Sequence, residues 1–275
     1  MIWLLLGGFF LAAAMTKTKL DHELFKYTLQ LSGTNPKHLL IGLMGTTMVA
    51  SMLMSNTATT SMIIAAILPL LASLGKKSGI GKALLFGIPL AAATGGIGTI
   101  IGTPPNAIGA GALKSAGIII EFIDWMKFGI PVSVALTALG CFALIRIYIK
   151  DTTPISLSFL EDQEAKASGE SNLKRKIVGG VIIVTVGLWL TASLHGLTVA
   201  SICAIPLVIL TVTGVLTGKD IQGLPWDTLL LVAGGLSLGL ALEQTGLYAD
   251  INEIKQHGFD FCFCLFNHAC LQYYE

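Results

Sequence analysis

The stretch SNTATTSMIIAA, residues 55–66, decides how this chain is interpreted, because it puts polar side chains inside an apolar region. The apolar runs GLMGTTMVASMLM (42–54) and IIAAILPLLASLG (63–75) flank it. Ser, Asn and Thr commonly cap helix N-termini, so Ser55, Asn56 or Thr57 is expected to cap an arm that begins near position 58. A turn at membrane depth has to satisfy its own backbone groups, and these residue types can do so.

Composition places the chain in a membrane. Of its 275 residues 53% are hydrophobic and 12% are charged, and a soluble domain carries about twice that charge. We therefore predict an all-α polytopic membrane protein. There is no catalytic constellation, so an enzyme is not expected, and the net charge of +1 gives no indication of nucleic-acid binding. Spans and apolar arms are expected at 2–16, 38–54, 58–74, 128–149, 177–194, 198–217 and 228–245.

Basic residues indicate how the chain crosses the bilayer. If the two arms around SNT form a re-entrant hairpin, fourteen of the seventeen Lys and Arg residues share one side, and only Lys114, Lys127 and Lys255 lie opposite. Two full spans joined at SNT would instead separate the basic loops on either side of the arms. The charges thus favour a hairpin with a cytoplasmic base and a cytoplasmic loop at 151–176.

A second polar interruption, GGIGTIIGTPPN at 95–106, lies in a Gly-rich segment. The Pro104–Pro105 pair lacks N–H groups, so the Ile100–Ile101 carbonyls are expected to be free. Asn106 or Thr103 is expected to cap the helix that follows. An ordinary capped turn would explain the first interruption and a proline kink the second, but their combination indicates a site.

The two interruptions suit ions of both signs. Ser51 precedes Ser55 by four residues, so both hydroxyls are expected on one side of the first arm, where oxygens suit a hard cation such as Na⁺. The helix N-terminus after each interruption favours an anion. No Asp, Glu, Lys or Arg lies within 38–74 or 83–112. An anion would therefore be held by dipoles, hydroxyls, amides and bound cations.

An internal repeat points to a transporter. LLLGGFFLAAAMTKTKL (4–20) and LVAGGLSLGLALEQTGL (231–247) share seven identities in seventeen positions at an offset of 227. The charge distribution gives the two copies opposite orientations across the membrane. Inverted repeats are typical of transporters whose site lies at the midplane, where broken helices meet.

Four motifs resemble the divalent anion:sodium symporter family, the dicarboxylate, citrate and sulfate carriers. They are SNTATTS (55–61), GGIGTIIGTPPN (95–106), DWMKFGIP (124–131) and LLLVAGGLSLGLALEQTGL (229–247). The resemblance implies an inverted-repeat, elevator-type transporter of the cytoplasmic membrane, usually a homodimer. Na⁺ would be the coupling ion, with no other metal and no cofactor.

The resemblance also implies site residues. The sodium site would use Ser51, Ser55, Asn56 and the backbone near Gly102. Substrate carboxylate contacts would come from Asn56, Thr57 and Thr103, beside the broken-helix residues Pro104, Pro105 and Asn106.

The chain is expected to contain one half of a pseudo-symmetric site. The repeat places a second SNT tip near position 282, beyond the last residue, and the Cys- and Phe-rich tail is interpreted as a truncated or frameshifted end. The expected segments are a first span with an interfacial stretch (1–37), a transport-domain half (38–116), an amphipathic linker with a scaffold-side span (117–150), the cytoplasmic loop (151–176), the start of the second repeat (177–250) and the aberrant tail (251–275).

These features predict sodium-coupled transport of a divalent organic anion, in the first instance a C4-dicarboxylate. One alternative is a membrane subunit complemented by a partner that carries the second half. Another is a carrier for sulfate, citrate or a different oxyanion.

We expect the chain alone not to transport, because half of the site would be missing. Proteoliposomes containing only this polypeptide should show no sodium-dependent uptake of labelled succinate. Uptake above that of empty liposomes would contradict the prediction.

Overall fold

The computed structural model describes residues 2–75, 78–115, 118–150 and 172–245, where all regular structure is helical. The expected tail at 251–275 lies outside these residues, as does most of the loop at 151–176. The helices are α1 (Ile2–Lys17), α2 (Leu20–Ser32), α3 (Pro36–Ser51), α4 (Asn56–Leu74), α5 (Gly79–Gly95), α6 (Pro104–Ser115), α7 (Phe122–Tyr148), α8 (Asn172–Leu190), α9 (Ala192–His195), α10 (Val199–Ile202), α11 (Ala204–Val212), α12 (Gly218–Gln222) and α13 (Trp226–Gln244), and a 3₁₀ turn (Gly96–Gly98) follows α5.

Helices α2 to α5 begin or end at residues that suit those positions. Asn35 caps α3, and Pro36 at its first position lacks the N–H that a helix start leaves unpaired. The Ser78 hydroxyl caps α5 by accepting a backbone N–H at 3.3 Å. Gly33 and Gly75, with φ of 62° and 74°, terminate α2 and α4 in a conformation that side chains disfavour.

The buried apolar residues form two cores. The first is built by α2, α3, α4, α5 and the C-terminal half of α7. The second is built by α1, α6, the start of α7, and α8 with the helices after it. Ala91 of α5 lies in the first core, whereas Ile100 and Ile101 lie in the second. The segment between α5 and α6 therefore connects the two cores.

Helix α5 is the most enclosed of the long helices. It packs against α3, α4 and α7. The apolar stretch within Gly79–Gly98 is 61% buried, whereas the corresponding stretches of α4 and α7 are each 28% buried. Helix α7 runs antiparallel to α5, since Gly79 lies against Tyr148 at one end and the Thr94 and Thr137 hydroxyls are 2.7 Å apart nearer the other. The expected boundary between 38–116 and 117–150 stays a prediction. In the structure α7 packs against α5 and against α3, the first arm of the hairpin.

Three helical segments in the described part of the chain are long and apolar enough to cross a membrane: α4, Gly79–Gly98 and α7. Large apolar side chains on the helix surfaces are exposed, for example Phe128 at 77% and Ile183 at 73%. Such surfaces would be costly in water and are suited to lipid.

Two predicted segments differ from the structure. The amphipathic stretch expected at 117–127 is not separate, because α7 is continuous from Phe122, where Glu121 and Asp124 form a capping box. The single span expected at 198–217 is divided into α10 and α11, and the chain turns at Gly214, whose φ is 65°. Residue composition predicted the kind of segment in both places, but capping and turn residues set the helix ends.

Polar contacts gather basic residues at one end of the second core. Lys17 at the end of α1 pairs with Asp220, and Arg175 at the start of α8 donates to the Thr18 carbonyl at 2.9 Å. Lys114 instead lines a cavity of about 370 Å³ with Leu4, at the opposite end of α1. This grouping agrees with the predicted charge distribution, and the side of the membrane stays a prediction.

We expect Asp220→Asn to remove a pH-dependent part of the stability. Hydrogen bonds from Lys17 and Thr217 lower the pKa of Asp220 from 3.8 to about 2. Because the pKa of Asp220 is lower in the folded state, its carboxylate stabilises that state at pH values above the ordinary pKa. This stabilisation is lost as the pH falls through the pKa of the folded state. The slope of the thermal unfolding midpoint between about pH 4 and pH 2 should therefore flatten in the variant.

The matched control is Asp227→Asn at the start of α13, which leaves the Lys17–Asp220 pair intact and should keep the wild-type slope. An unchanged slope in Asp220→Asn would contradict a stabilising ion pair.

Candidate functional site

The SNT stretch forms the turn between α3 and α4. Helix α3 ends at Ser51 and α4 begins at Asn56. Ser55 is the N-cap of α4, and its hydroxyl accepts the Ala58 N–H at 3.3 Å. Of the three caps that the sequence allowed, the structure has Ser55.

Ser51 and Asn56 bring oxygens together at this turn. The Ser51 hydroxyl is fully buried and lies 2.8 Å from both Asn56 Oδ1 and the Ala92 carbonyl of α5. The expectation that Ser51 and Ser55 share one helix face is wrong, because α3 ends at Ser51 and the turn redirects the chain. Ser55 is exposed and uses its hydroxyl as the cap.

The break between α5 and α6 begins before the prolines. Helix α5 ends at Gly95, a 3₁₀ turn covers Gly96–Gly98, and α6 starts at Pro104. Pro104 thus occupies the first helical position, where its missing N–H costs little. Glycine lowers helix stability, so the Gly-rich segment leaves the helix first. The carbonyls of Gly96, Ile97 and Thr99 accept side-chain donors here. That the Ile100 and Ile101 carbonyls are free stays a prediction.

Asn106 closes the break. Its side-chain Nδ2 donates to the carbonyls of Gly96 and Thr99, both at 2.8 Å. The sequence predicted a cap for α6 at Asn106 or Thr103. Thr103 directly precedes α6 and its carbonyl accepts the Asn106 N–H at 3.1 Å, whereas the Asn106 side-chain amide points back across the break. Buried carbonyls are costly when unpaired, so this amide stabilises the interrupted backbone.

The break and the SNT turn are in direct contact. The Thr99 hydroxyl donates to the Met52 carbonyl in the turn, and it also accepts the Gly102 N–H at 3.0 Å. A Cβ on Gly96 would lie 2.5 Å from Asn56 Oδ1, and one on Gly95 would lie 2.3 Å from the Met48 carbonyl. Only glycine permits this approach, which explains the GG pair in the motif.

The structure therefore gathers part of the predicted residue set. Ser51 contacts Asn56, Asn56 lies against Gly96, and a Cβ on Gly102 would lie 2.5 Å from the Gly96 carbonyl. Thr57 is exposed and Thr103 is half-buried, and within the described residues neither hydroxyl has a hydrogen-bond partner. Pro104 and Pro105 start α6 and make none of the contacts described above.

Several contributors were not predicted. Thr99 and the Ala92 carbonyl contact the turn, and Trp125 at the start of α7 donates to the Ile97 carbonyl at 2.9 Å. The Thr59 hydroxyl, one turn into α4, is buried without a partner in the described part of the chain. The only sequence signal for Trp125 is its position in DWMKFGIP, to which no role was assigned.

The arrangement offers two kinds of binding chemistry. Helices α4 and α6 both begin at the contact between turn and break, and helix N-termini favour negative charge. Side-chain and backbone oxygens around Ser51 and Asn56 favour a hard cation. Among the described residues no cluster of His, Cys, Asp or Glu could hold a metal ion.

Comparison with known proteins identifies relatives among transporters. The sequence model of the citrate transporter family matches residues 1–256. The chain is 30% identical over 276 residues to the inorganic phosphate transporter PHO87 of Saccharomyces cerevisiae, covering 96% of this chain and 29% of that protein. It is 31% identical over 262 residues to an uncharacterized transporter of Haemophilus influenzae, covering 89% and 54%.

A third relative is the sodium-dependent dicarboxylate transporter SdcS of Staphylococcus saprophyticus. It is 29% identical over 286 residues, covering 90% of this chain and 53% of that protein. The chain thus spans between about a quarter and a half of the length of these relatives.

We expect Asn106→Asp to destabilise the fold. The substitution preserves shape but replaces an amide donor by a carboxylate that faces two carbonyl oxygens at 2.8 Å. Loss of two buried hydrogen bonds should lower the free energy of unfolding by roughly 1–3 kcal/mol, measured by thermal unfolding in detergent micelles.

Asn35→Asp is the matched control, because Asn35 acts as an acceptor from the Lys37 N–H at 3.0 Å and Asp keeps that role. Equal effects of the two substitutions would contradict a donor role for Asn106.

Proposed function

Because this chain belongs to the citrate transporter family, in agreement with its resemblance to divalent anion:sodium symporters, we propose that its SNT turn and broken helix form part of a site for sodium-coupled anion transport. The favoured substrate class is a C4-dicarboxylate. The observation that carries the proposal is the direct contact between the SNT turn and the broken helix, through Ser51, Asn56 and Gly96.

The cation would bind at the Ser51 end of this contact. The Ser51 hydroxyl has one proton but lies 2.8 Å from two acceptor oxygens, so it can satisfy only one of them by donation. A Na⁺ ion among these oxygens would remove that conflict, since hard cations are bound by hydroxyl, amide and carbonyl oxygens. The proposed ligands are Ser51, Asn56 and the backbone near Gly102. Ser55 would contribute by capping α4 and so holding the turn that carries Asn56.

The anion would bind where α4 and α6 begin. Two helix N-termini supply partial positive charge and N–H donors there, and Asn56, Thr57 and Thr103 supply polar side chains. The absence of Asp and Glu from 38–74 and 83–112 supports this assignment, because a nearby carboxylate would repel a divalent anion. A bound Na⁺ would add attraction, which links the two binding events.

The proposed architecture is that of an inverted-repeat elevator transporter, acting as a homodimer in the cytoplasmic membrane. The contact of Lys17, at the end of α1, with Asp220 in α12 supports opposite orientations for α1 and α13, because α12 shortly precedes α13 and α13 also packs against α1. In this proposal the hairpin base and the loop at 151–176 would lie on the cytoplasmic side.

Phosphate is the second candidate substrate. PHO87 and a further relative, the low-affinity phosphate transporter PHO90 of Saccharomyces cerevisiae, are named for phosphate. Phosphate, sulfate and citrate share multiple negative charge with dicarboxylates, and a site built from dipoles and a cation would attract each of them.

Sodium binding tests the proposal directly. The purified chain in detergent should unfold at a higher temperature in NaCl than in choline chloride at equal ionic strength, because a ligand that binds only the folded state stabilises it. Ser51→Ala should raise the Na⁺ concentration for half-maximal stabilisation by about tenfold, which corresponds to about 1.4 kcal/mol.

Ser73→Ala is the matched control, because the Ser73 hydroxyl bonds within α4 at a distance from the turn. Identical midpoints in NaCl and choline chloride for the wild-type chain would contradict sodium coupling.

The anion class is tested by adding succinate, citrate, phosphate or sulfate in the presence of Na⁺. Greater stabilisation by succinate supports the dicarboxylate assignment. Stabilisation by phosphate alone would replace it with the second candidate.

A further inference from the structure

The Ile97 carbonyl has an unusual partner. Ile97 lies in the 3₁₀ turn after α5, where the regular helical ladder has ended. Its carbonyl accepts the indole N–H of Trp125, at 2.9 Å, from the first turn of α7. A tryptophan nitrogen only donates, so this bond has one orientation.

Trp125 is itself held in place by the start of α7. Glu121 and Asp124 form the capping box that fixes this first turn. The neighbouring Phe122 is buried in the second core, with its ring 5.1 Å from that of Trp189 in α8. Trp125 therefore connects the broken segment to an anchored helix end.

Close packing supports the same contact. A Cβ on Gly129, one turn after Trp125, would lie 2.7 Å from the Ile97 carbonyl oxygen. The absence of a side chain at Gly129 lets α7 approach the 3₁₀ turn. A shift of either group would move the Ile97 peptide.

The position of this peptide matters for the oxygens at the SNT turn. Gly96 precedes Ile97 directly, and its Cβ position lies 2.5 Å from Asn56 Oδ1. The Gly96 carbonyl also accepts the Asn106 amide at 2.8 Å. A shift of the Ile97 backbone would therefore displace Gly96, against which the Asn56 side chain packs.

We propose that Trp125 is a positioning residue for the cation site: its indole N–H holds the Ile97 carbonyl and thereby sets the position of Gly96 against Asn56. This inference rests on the sodium coupling proposed above. Trp125 does not touch the ion, and it acts through the broken segment.

The test compares two Trp→Phe substitutions in the purified chain. Trp125→Phe removes the bond to Ile97, whereas Trp226→Phe removes a similar bond, from Trp226 Nε1 to the Ile221 carbonyl at 2.8 Å, far along the chain. Unfolding midpoints are measured across a NaCl titration and in choline chloride. Trp125→Phe should raise the half-maximal Na⁺ concentration about threefold or more, a loss of one hydrogen bond, and Trp226→Phe should leave it unchanged.

Gly129→Ala supplies a second variant that retains the tryptophan, for the case in which Trp125→Phe does not fold. Its new Cβ would force the Ile97 carbonyl to shift, so the half-maximal Na⁺ concentration should rise here as well. Gly187→Ala in α8 is the control, because a Cβ there meets nothing within 4 Å.

The outcomes separate the two proposals. If Ser51→Ala weakens the Na⁺ response while Trp125→Phe and Gly129→Ala change only the midpoint in choline chloride, the role of Trp125 is purely structural and this inference fails alone. If the wild-type chain shows no Na⁺-specific stabilisation, the proposed function fails and this inference fails with it.

Discussion

Backbone carbonyls at the helix break and at the SNT turn need donors, and the structure depends on side chains to supply them. In an apolar environment an unpaired carbonyl costs free energy comparable to a lost hydrogen bond. Thr99 donates to Met52, Asn106 to Gly96 and Thr99, and Trp125 to Ile97. Each donor comes from a different segment. The hydrogen bonds that pair these carbonyls therefore also hold the SNT turn, α6 and α7 around the break.

The same requirement accounts for the chemistry of the site. Donors and acceptors that close the backbone are uncharged, and the arms contain no Asp, Glu, Lys or Arg. Oxygens that remain near Ser51 and Asn56 suit a cation, while the starts of α4 and α6 suit an anion. Binding groups for both ions thus arise from interruptions in helices rather than from charged side chains.

The sequence was sufficient to predict both interruptions and part of the set of residues that surround them. Capping preference limited the cap of α4 to Ser55, Asn56 or Thr57, and the two polar motifs led to Ser51, Asn56 and Asn106, because local residue type determines helix ends. Contacts between distant segments were not predictable in this way. Neither the Trp125 bond to Ile97 nor the contact of Gly96 with Asn56 follows from spacing along the chain.

Errors in the predictions have a common physical origin. Proline was expected to mark the break, but glycine ended α5 earlier and Pro104 took the start of α6. Similarly, α7 was expected to begin later, but the Glu121–Asp124 capping box starts it at Phe122. A proline, glycine or capping residue indicates that a helix is interrupted. The exact position of the helix end also depends on how neighbouring segments pack.

The two bonds of Asn106 have a mechanical consequence. One amide group spans from α6 to two carbonyls on the far side of the break, 2.8 Å from each. Bending α6 relative to α5 would strain both bonds together, and a buried group that loses its hydrogen-bond partner is costly. These two bonds therefore stiffen the interruption, and we expect any movement of this site to carry α5, α6 and the SNT turn together.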